Sequence, residues 1–214
     1  MNLAKILIKK KFNKFNSLFY FWFESFTFLL REKIINQRLN FNFNNKKLLD
    51  VGCGTGSNSL IFAKQGADVF GIDLSVNQIN SAINRKTKYK NLKLNFKIMD
   101  AEKLKFEDNI FDFAICSFSL HELGNLEILN NTINEIKRVL KPRAKFIIVD
   151  YNLPQNKLFK VIYTKIVFSF EPKETTNKIL NTSFLNFAKN FNLKPNYEKL
   201  CFLSLIKLWV YQTK

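Results

Sequence analysis

The sequence predicts a doubly wound α/β fold, a mainly parallel sheet with helices on both faces, and three observations carry the prediction. A short apolar run (Leu48, Leu49, Val51) leads into glycines at alternate positions, Gly52, Gly54 and Gly56, and then into a helix-like segment from Ser57 to Gln65. About twenty residues on, a second apolar run, Val69-Phe70-Gly71-Ile72, ends in Asp73, the interval at which a carboxylate can take both hydroxyls of a ribose. The alternation of strand and helix then continues to Asp150. Its polar residues fall at the carboxyl ends of strands, where open parallel sheets bind ligands.

Each element has its own signal. Residues Phe12, Phe15, Phe19, Phe23, Phe26 and Leu30 recur at three- and four-residue steps, which predicts an amphipathic helix within Leu3–Leu30. The apolar run inside it is too short to span a bilayer and is broken by Glu24, and no small-residue cleavage site marks a signal peptide. An Asn-rich stretch from Asn40 to Asn45 precedes the first strand. The helix after Gly56 stops near Gly66, a natural C-cap, and Ser75 is placed to cap the next helix, through Ile79, Ala82 and Ile83. Leu92–Met99 alternates as a third strand and ends at Asp100-Ala101-Glu102, while Phe111–Phe118 is apolar almost throughout, as a buried parallel strand is. A helix from Leu126 to Leu140 precedes Lys141-Pro142, and Lys145–Val149 makes a fifth strand. Beyond it, helices are expected at Leu158–Phe170 and Thr182–Phe191, then two closing strands within Tyr197–Tyr211, with Ser204 near the middle. That makes seven strands.

Composition narrows the classes of function. The 214 residues, 47% hydrophobic and 24% charged, suit one globular unit with a sizeable core. Three scattered cysteines (Cys53, Cys116, Cys201) give neither a disulfide framework nor a metal spacing, and a single histidine excludes a multi-histidine metal site, so no metal is expected and the compartment is read as cytoplasmic. The net charge of +17 has two readings. One is attraction to nucleic acid or anionic lipid. The other is compositional, since Lys, Asn, Phe and Ile are abundant together while arginine occurs only at positions 31, 38, 85, 138 and 143.

The spacing G-x-G-x-G differs from the G-x-G-x-x-G of dinucleotide sites. With DVGCGTG at Asp50–Gly56 and GIDLS from Gly71, the chain resembles the class I S-adenosylmethionine-dependent methyltransferases from Lys46 to Asp150. SFSLHEL, EIKRVLKP and IIVDY are similar to the branch that holds the ubiquinone/menaquinone biosynthesis methyltransferases. The resemblance implies a Rossmann-like, seven-stranded domain over residues 46–214, with residues 1–45 as an N-terminal basic and aromatic helical cap. That cap is read first as a lid, with a membrane-surface helix as the alternative. The family usually has glycines where this chain has Arg143-Ala144, and the C-terminal third lacks the closing pattern of the quinone enzymes.

Site roles follow from the same resemblance. Backbone at Gly52, Cys53, Gly54 and Gly56 would approach the methionyl and ribose portion of S-adenosyl-L-methionine. Asp50 would face its ammonium end and Asp73 its ribose hydroxyls. Leu74 would pack on the adenine, Asp100 would accept from the adenine amino group beside the Ala101 N–H, and Ser117 would border the transferred methyl group. His121, just beyond the fourth strand, is the candidate general base, with helix capping as the alternative. The expected function is methyl transfer to a small-molecule or lipid-like acceptor in the cytoplasm, with a quinone or phospholipid methyltransferase at an anionic membrane surface, or a non-catalytic S-adenosylmethionine-binding protein of the same fold, as the alternatives. Specific nucleic acid is set aside. Ser117-Phe118-Ser119-Leu120 stands where adenine methyltransferases carry N/D-P-P-Y/F, and no Pro-Cys pair serves cytosine chemistry.

Overall fold

The computed structural model describes residues 28, 31–120, 123, 126–152, 156, 161, 165, 196–201 and 206–213. Seven strands form one sheet: β1 (Lys47–Val51), β2 (Asp68–Asp73), β3 (Leu94–Ile98), β4 (Phe111–Ser117), β5 (Leu140–Tyr151), β6 (Tyr197–Cys201) and β7 (Ile206–Gln212). Their order is β3-β2-β1-β4-β5-β7-β6. The first five run parallel, and β7 inserts antiparallel between β5 and β6. The strand order reverses at β1 and β4, so a crevice opens beyond their carboxyl ends.

Four helices are described: α1 (31–38), α2 (Ser57–Lys64), α3 (Val76–Lys86) and α4 (Leu126–Val139). Two cores lie on opposite faces of the sheet. One joins Ile34, Ile35 and Leu39 of the α1 region to Leu60, Ile61 and Phe62 of α2, over Leu48 and Ile115. The other packs Ile133, Ile136 and Val139 of α4 on Leu49, Ala114 and Ile148. Every α2 residue from Ser57 to Ala63 is buried, because α1 and Phe43 cover the side that would otherwise meet water. An unbroken buried face explains why α2 lacks the polar stripe of a surface helix. Phe43 anchors this layer, its ring 4.9 Å from Phe62 and 4.7 Å from Phe113.

The helix ends follow their sequence signals. Gly66 takes φ 89°, its N–H bonds the Ala63 carbonyl and the Ala67 N–H bonds the Phe62 carbonyl, a paired C-terminal closure. Ser75 Oγ accepts from the Gln78 N–H at the start of α3.

Two strand starts differ from expectation by more than one residue. β3 begins at Leu94 rather than Leu92. β5 begins at Leu140, directly after α4, rather than at Lys145. Leu140 pairs with Phe111 and Lys145 with Phe113, so residues between them bulge from the ladder. Arg143 adopts φ 62° inside that bulge, the conformation glycine takes at least cost, and does so without a glycine. The bulge is held from outside. Gln212 Nε2 donates to the Arg143 carbonyl, and Thr213 Oγ1 to the Lys141 carbonyl at 2.7 Å. The helices expected at Leu3–Leu30, Leu158–Phe170 and Thr182–Phe191, and Ser204, lie outside the described residues, apart from the isolated positions 28, 161 and 165.

Candidate active site

The site is built on the turn after β1. The N–H groups of Gly52 and Cys53 both bond the Ile72 carbonyl at 2.9 Å, which pins the turn to the end of β2. The Gly54 N–H donates to Asp73 Oδ2 at 3.0 Å, and the Ser75 N–H to Asp73 Oδ1 at 2.8 Å. Two backbone donors therefore hold the Asp73 carboxylate in place. An ionised carboxylate offers about four lone-pair sites, so capacity for a ribose diol remains. Burial pushes the Asp73 pKa up in spite of these donors.

The three glycines do different jobs. A Cβ on Gly52 would stand 2.6 Å from Ser119 Cβ, and one on Gly56 would stand 2.7 Å from Phe96 Cζ and 3.2 Å from Ala82. Those two positions admit protein. At Gly54 the nearest atom is Gln78 Oε1 at 3.8 Å, an ordinary contact, so protein does not occupy its Cβ position.

Asp50, near the end of β1 just before the glycines, has no exposed surface. Ser59 Oγ of α2 donates to its Oδ2 at 2.6 Å, while its Oδ1 has no hydrogen-bond partner. Burial pushes its pKa up to about 6, against the opposing pull of the Ser59 hydroxyl and the Arg31 charge. Its negative charge is thus partly uncompensated, which suits a cationic ligand above it.

The remaining residues line the neighbouring strand ends. Leu74 follows Asp73 and is half-buried. The Met99 N–H bonds the Asp73 carbonyl, bringing Asp100 and Ala101 beside it, and Asp100 Oδ1 accepts from the Glu102 N–H at 3.1 Å. Ser117 closes β4 with a buried hydroxyl that has no hydrogen-bond partner, and Phe118 takes φ 51° with its N–H on the Val149 carbonyl. A bulky residue in that conformation is strained, a frequent mark of functional sites. His121 and Glu122 lie outside the described residues. Burial pushes the Cys53 and Cys116 thiols well above the ordinary range, so neither is a thiolate nucleophile at neutral pH. Among the described residues no acid, histidine or cysteine cluster could hold a metal, and no helix is long and apolar enough to cross a membrane.

Sequence reading missed four participants. Ser119 fills the notch left by Gly52 and donates to the Val51 carbonyl at 3.0 Å. Gly71 makes room for Phe96 and Cys53. Ser59 and Arg31 reach Asp50 from two helices, and only Ser59, nine residues on, left any local signal.

Strand order, the turn pinned to β2, and acids at adjoining strand ends are those of a doubly wound α/β domain that binds its ligand at the switch point between β1 and β4. The chain belongs to the class I S-adenosylmethionine-dependent methyltransferases, and residues 49–148 match the family described as methyltransferase domain. It is 33% identical over 152 residues to the ubiquinone/menaquinone biosynthesis C-methyltransferase UbiE of Rickettsia bellii, covering 68% of this chain and 59% of that protein. The chain thus spans about three fifths of the length of that curated relative. Its fold is similar to a SAM dependent methyltransferase from Aquifex aeolicus, with TM-score 0.72, 18% identity and coverage of 94% of this chain and 100% of that one. It is also similar to geranyl diphosphate C-methyltransferase from Streptomyces coelicolor, with TM-score 0.62, 13% identity and coverage of 86% and 81%.

The residues present fit the family's cofactor. A partly uncompensated buried carboxylate at Asp50, a fixed carboxylate at Asp73 and a glycine at position 54 whose Cβ position is not taken by protein meet the needs of a cationic nucleoside with a ribose diol.

Proposed function

We propose that this protein transfers a methyl group from S-adenosylmethionine to a small-molecule or lipid-like acceptor. The observation that carries the reading is the Asp73 carboxylate held by the Gly54 and Ser75 N–H groups, fixed before any ligand arrives. The bound cofactor supplies an electrophilic methyl group on a sulfonium. Asp73 would hold the ribose, Leu74, Asp100 and Ala101 would hold the adenine, and Asp50 would balance the positive charge. Ser117 borders the acceptor space. Methyl transfer is an in-line displacement, so the chain contributes mainly position and exclusion of water. His121, the only histidine, takes the acceptor's proton.

The acceptor is of the quinone type, methylated on carbon. Support comes from the relative at 33% identity, whose name places it in ubiquinone/menaquinone biosynthesis. Such acceptors are oily, and the charge of +17 favours meeting them at an anionic membrane surface.

Calorimetry tests the cofactor assignment. S-adenosylmethionine and S-adenosylhomocysteine should bind, and Asp73→Ala should bind both at least tenfold more weakly through loss of two charge-assisted hydrogen bonds. Unchanged affinity in a folded Asp73→Ala protein, or preference for a nicotinamide dinucleotide, overturns the reading.

A further inference from the structure

Among the described residues, the large apolar side chains left exposed are Val76, Ile83, Ile98, Val161, Tyr197 and Leu200, and half of them fall between Leu74 and Met99. The same stretch, α3 through β3, holds Arg85, Lys86, Lys88, Lys90, Lys93 and Lys97 without one acid. Lys88, Lys90, Lys93 and Lys97 are exposed. The fold gathers these residues on one edge of the molecule. β3 is the outermost strand, and α3 packs beside it: Phe96 of β3 and Ala82 of α3 both border the Cβ position of Gly56. Ile83 and Lys97 are the chain neighbours of those two. Val76 and Ile83, seven residues apart, share a helix face. Ile98 pairs with Asp73, three residues before Val76. Lys64, at the end of α2, adds a further cation, its Nζ 5.7 Å from the centre of the Tyr89 ring. The neighbouring acids are engaged by the chain. Asp68 accepts from Asn95 Nδ2, Asp73 from the Gly54 and Ser75 N–H groups, and Asp100 from the Glu102 N–H.

Exposed aliphatic side chains set among lysines suit the boundary of a bilayer, where apolar groups enter and cations meet the headgroups. We propose that the α3–β3 edge is the surface by which this protein docks on an anionic membrane. Ile83 and Ile98 enter the headgroup layer, and Lys88, Lys93 and Lys97 meet the lipid phosphates. The inference rests on the reading that the acceptor is oily and is met at an anionic membrane, and it names the surface that does so. Val76 and Ile98 both lie beside Asp73, so docking there sets the rim of the cofactor pocket next to the lipid. Nucleic acid fits this edge less well. Its cations are mostly lysine rather than the planar guanidinium, and its rings, Tyr89 and Phe96, are half-buried rather than free to stack on bases.

Co-sedimentation of the full chain tests the surface, with vesicles of phosphatidylcholine alone or mixed with about one third phosphatidylglycerol. Wild type should pellet with the anionic vesicles only, and should be released as salt rises from about 0.1 M to about 1 M. The triple variant Lys88→Glu, Lys93→Glu, Lys97→Glu should bind them about tenfold more weakly or worse. Lys33→Glu, Arg38→Glu, Lys46→Glu, an equal charge change at exposed positions elsewhere, should cost about threefold at most. Ile83→Ser, Ile98→Ser should lower vesicle binding about fivefold or more and leave retention by duplex DNA within about twofold, since DNA offers no apolar layer. Thermal unfolding checks that each variant is folded. Equal losses in the two charge variants, vesicle binding unmoved by the isoleucine changes, or a tighter hold on DNA than on anionic vesicles overturns the proposal. Wild-type protein that ignores anionic vesicles at low salt overturns the membrane reading with it, while the cofactor assignment stands or falls by calorimetry.

Discussion

Replacing Asp50 by Asn should stabilise the ligand-free protein at neutral pH. Asp50 is fully buried with one oxygen unpartnered, and its pKa rises from 3.8 to about 6. A carboxyl raised in the folded state binds more protons folded than unfolded between those values. Its ionisation therefore costs stability progressively as pH climbs from about 4 to about 6. About two pKa units at about 1.4 kcal/mol each give a cost of about 3 kcal/mol above that window. Asn is uncharged and nearly isosteric, and its carbonyl can still accept from Ser59, so about 1 kcal/mol returns through the weaker neutral bond. The net gain is about 2 kcal/mol at pH 7.5, or about 4–8 °C in Tm for a chain of this size. Near pH 4 the gain should vanish, because wild-type Asp50 is then protonated. Thermal unfolding of both proteins at pH 4.5, 6 and 7.5, without ligand, reads the difference directly, and groups distant from Asp50 cancel, while Asp73, whose charge acts on Asp50, contributes to the difference. An Asn variant no more stable than wild type at pH 7.5, or a difference that ignores pH, refutes the buried-charge reasoning. The gain should come with weaker S-adenosylmethionine binding, a stability–function exchange common at active sites.

The glycines should separate binding from stability. Gly56→Ala, which drives a methyl against Phe96 at φ 78°, should cost roughly 2–4 kcal/mol in urea unfolding. Gly54→Ala would meet only Gln78 Oε1, at 3.8 Å, with φ 53°, and should cost only about 1–2 kcal/mol, yet lose most cofactor affinity in calorimetry. Arg138 donates to Glu135, Asp108 and the carbonyls of Leu104 and Phe106, clamping the loop after β3 to α4. Arg138→Ala should cost about 1–3 kcal/mol in urea unfolding and raise amide exchange at Leu104, and lysine should not rescue a fork-shaped set of contacts. His121→Ala should lower turnover on the true acceptor by about 10²–10⁴-fold with cofactor affinity kept; near wild-type turnover in the folded variant removes it as the base.

Sequence gave a clear view of whatever depends on neighbours along the chain. The turn at Gly52–Gly56, the acid ending β2, the cap at Ser75 and the closure at Gly66 are local patterns, and each sits where its spacing puts it. The early start of β5 was not legible. Pro142 and the charges around it look like a break, and what holds the bulge is Gln212 and Thr213, some seventy residues away, in the strand that inserts last. The division of labour among the glycines was hidden for a related reason: identical spacing does not say that Ser119 and Phe96 occupy two of the three vacated Cβ positions. Asp50 was visible as a candidate, but its depth was not, because burial depends on α1 and α2 closing over β1 together.

β3 ends the sheet, and its outer backbone has no strand beside it among the described residues. From Leu74 to Met99 the chain has no acidic residue and carries Arg85, Lys86, Lys88, Lys90, Lys93 and Lys97. Two molecules attempting to zip together along β3 would bring Lys93 and Lys97 of each copy, both exposed, against cations with no acid on the segment to neutralise them. Strand pairing requires an approach of about 4.8 Å, well inside the roughly 8 Å screening length of physiological salt, so that repulsion survives in the cell. Ile98, 53% exposed at the tip of the same strand, is the residue such guarding shields from intermolecular contact. Part of the basic surplus thus keeps crowded copies of the protein apart, whatever else it attracts.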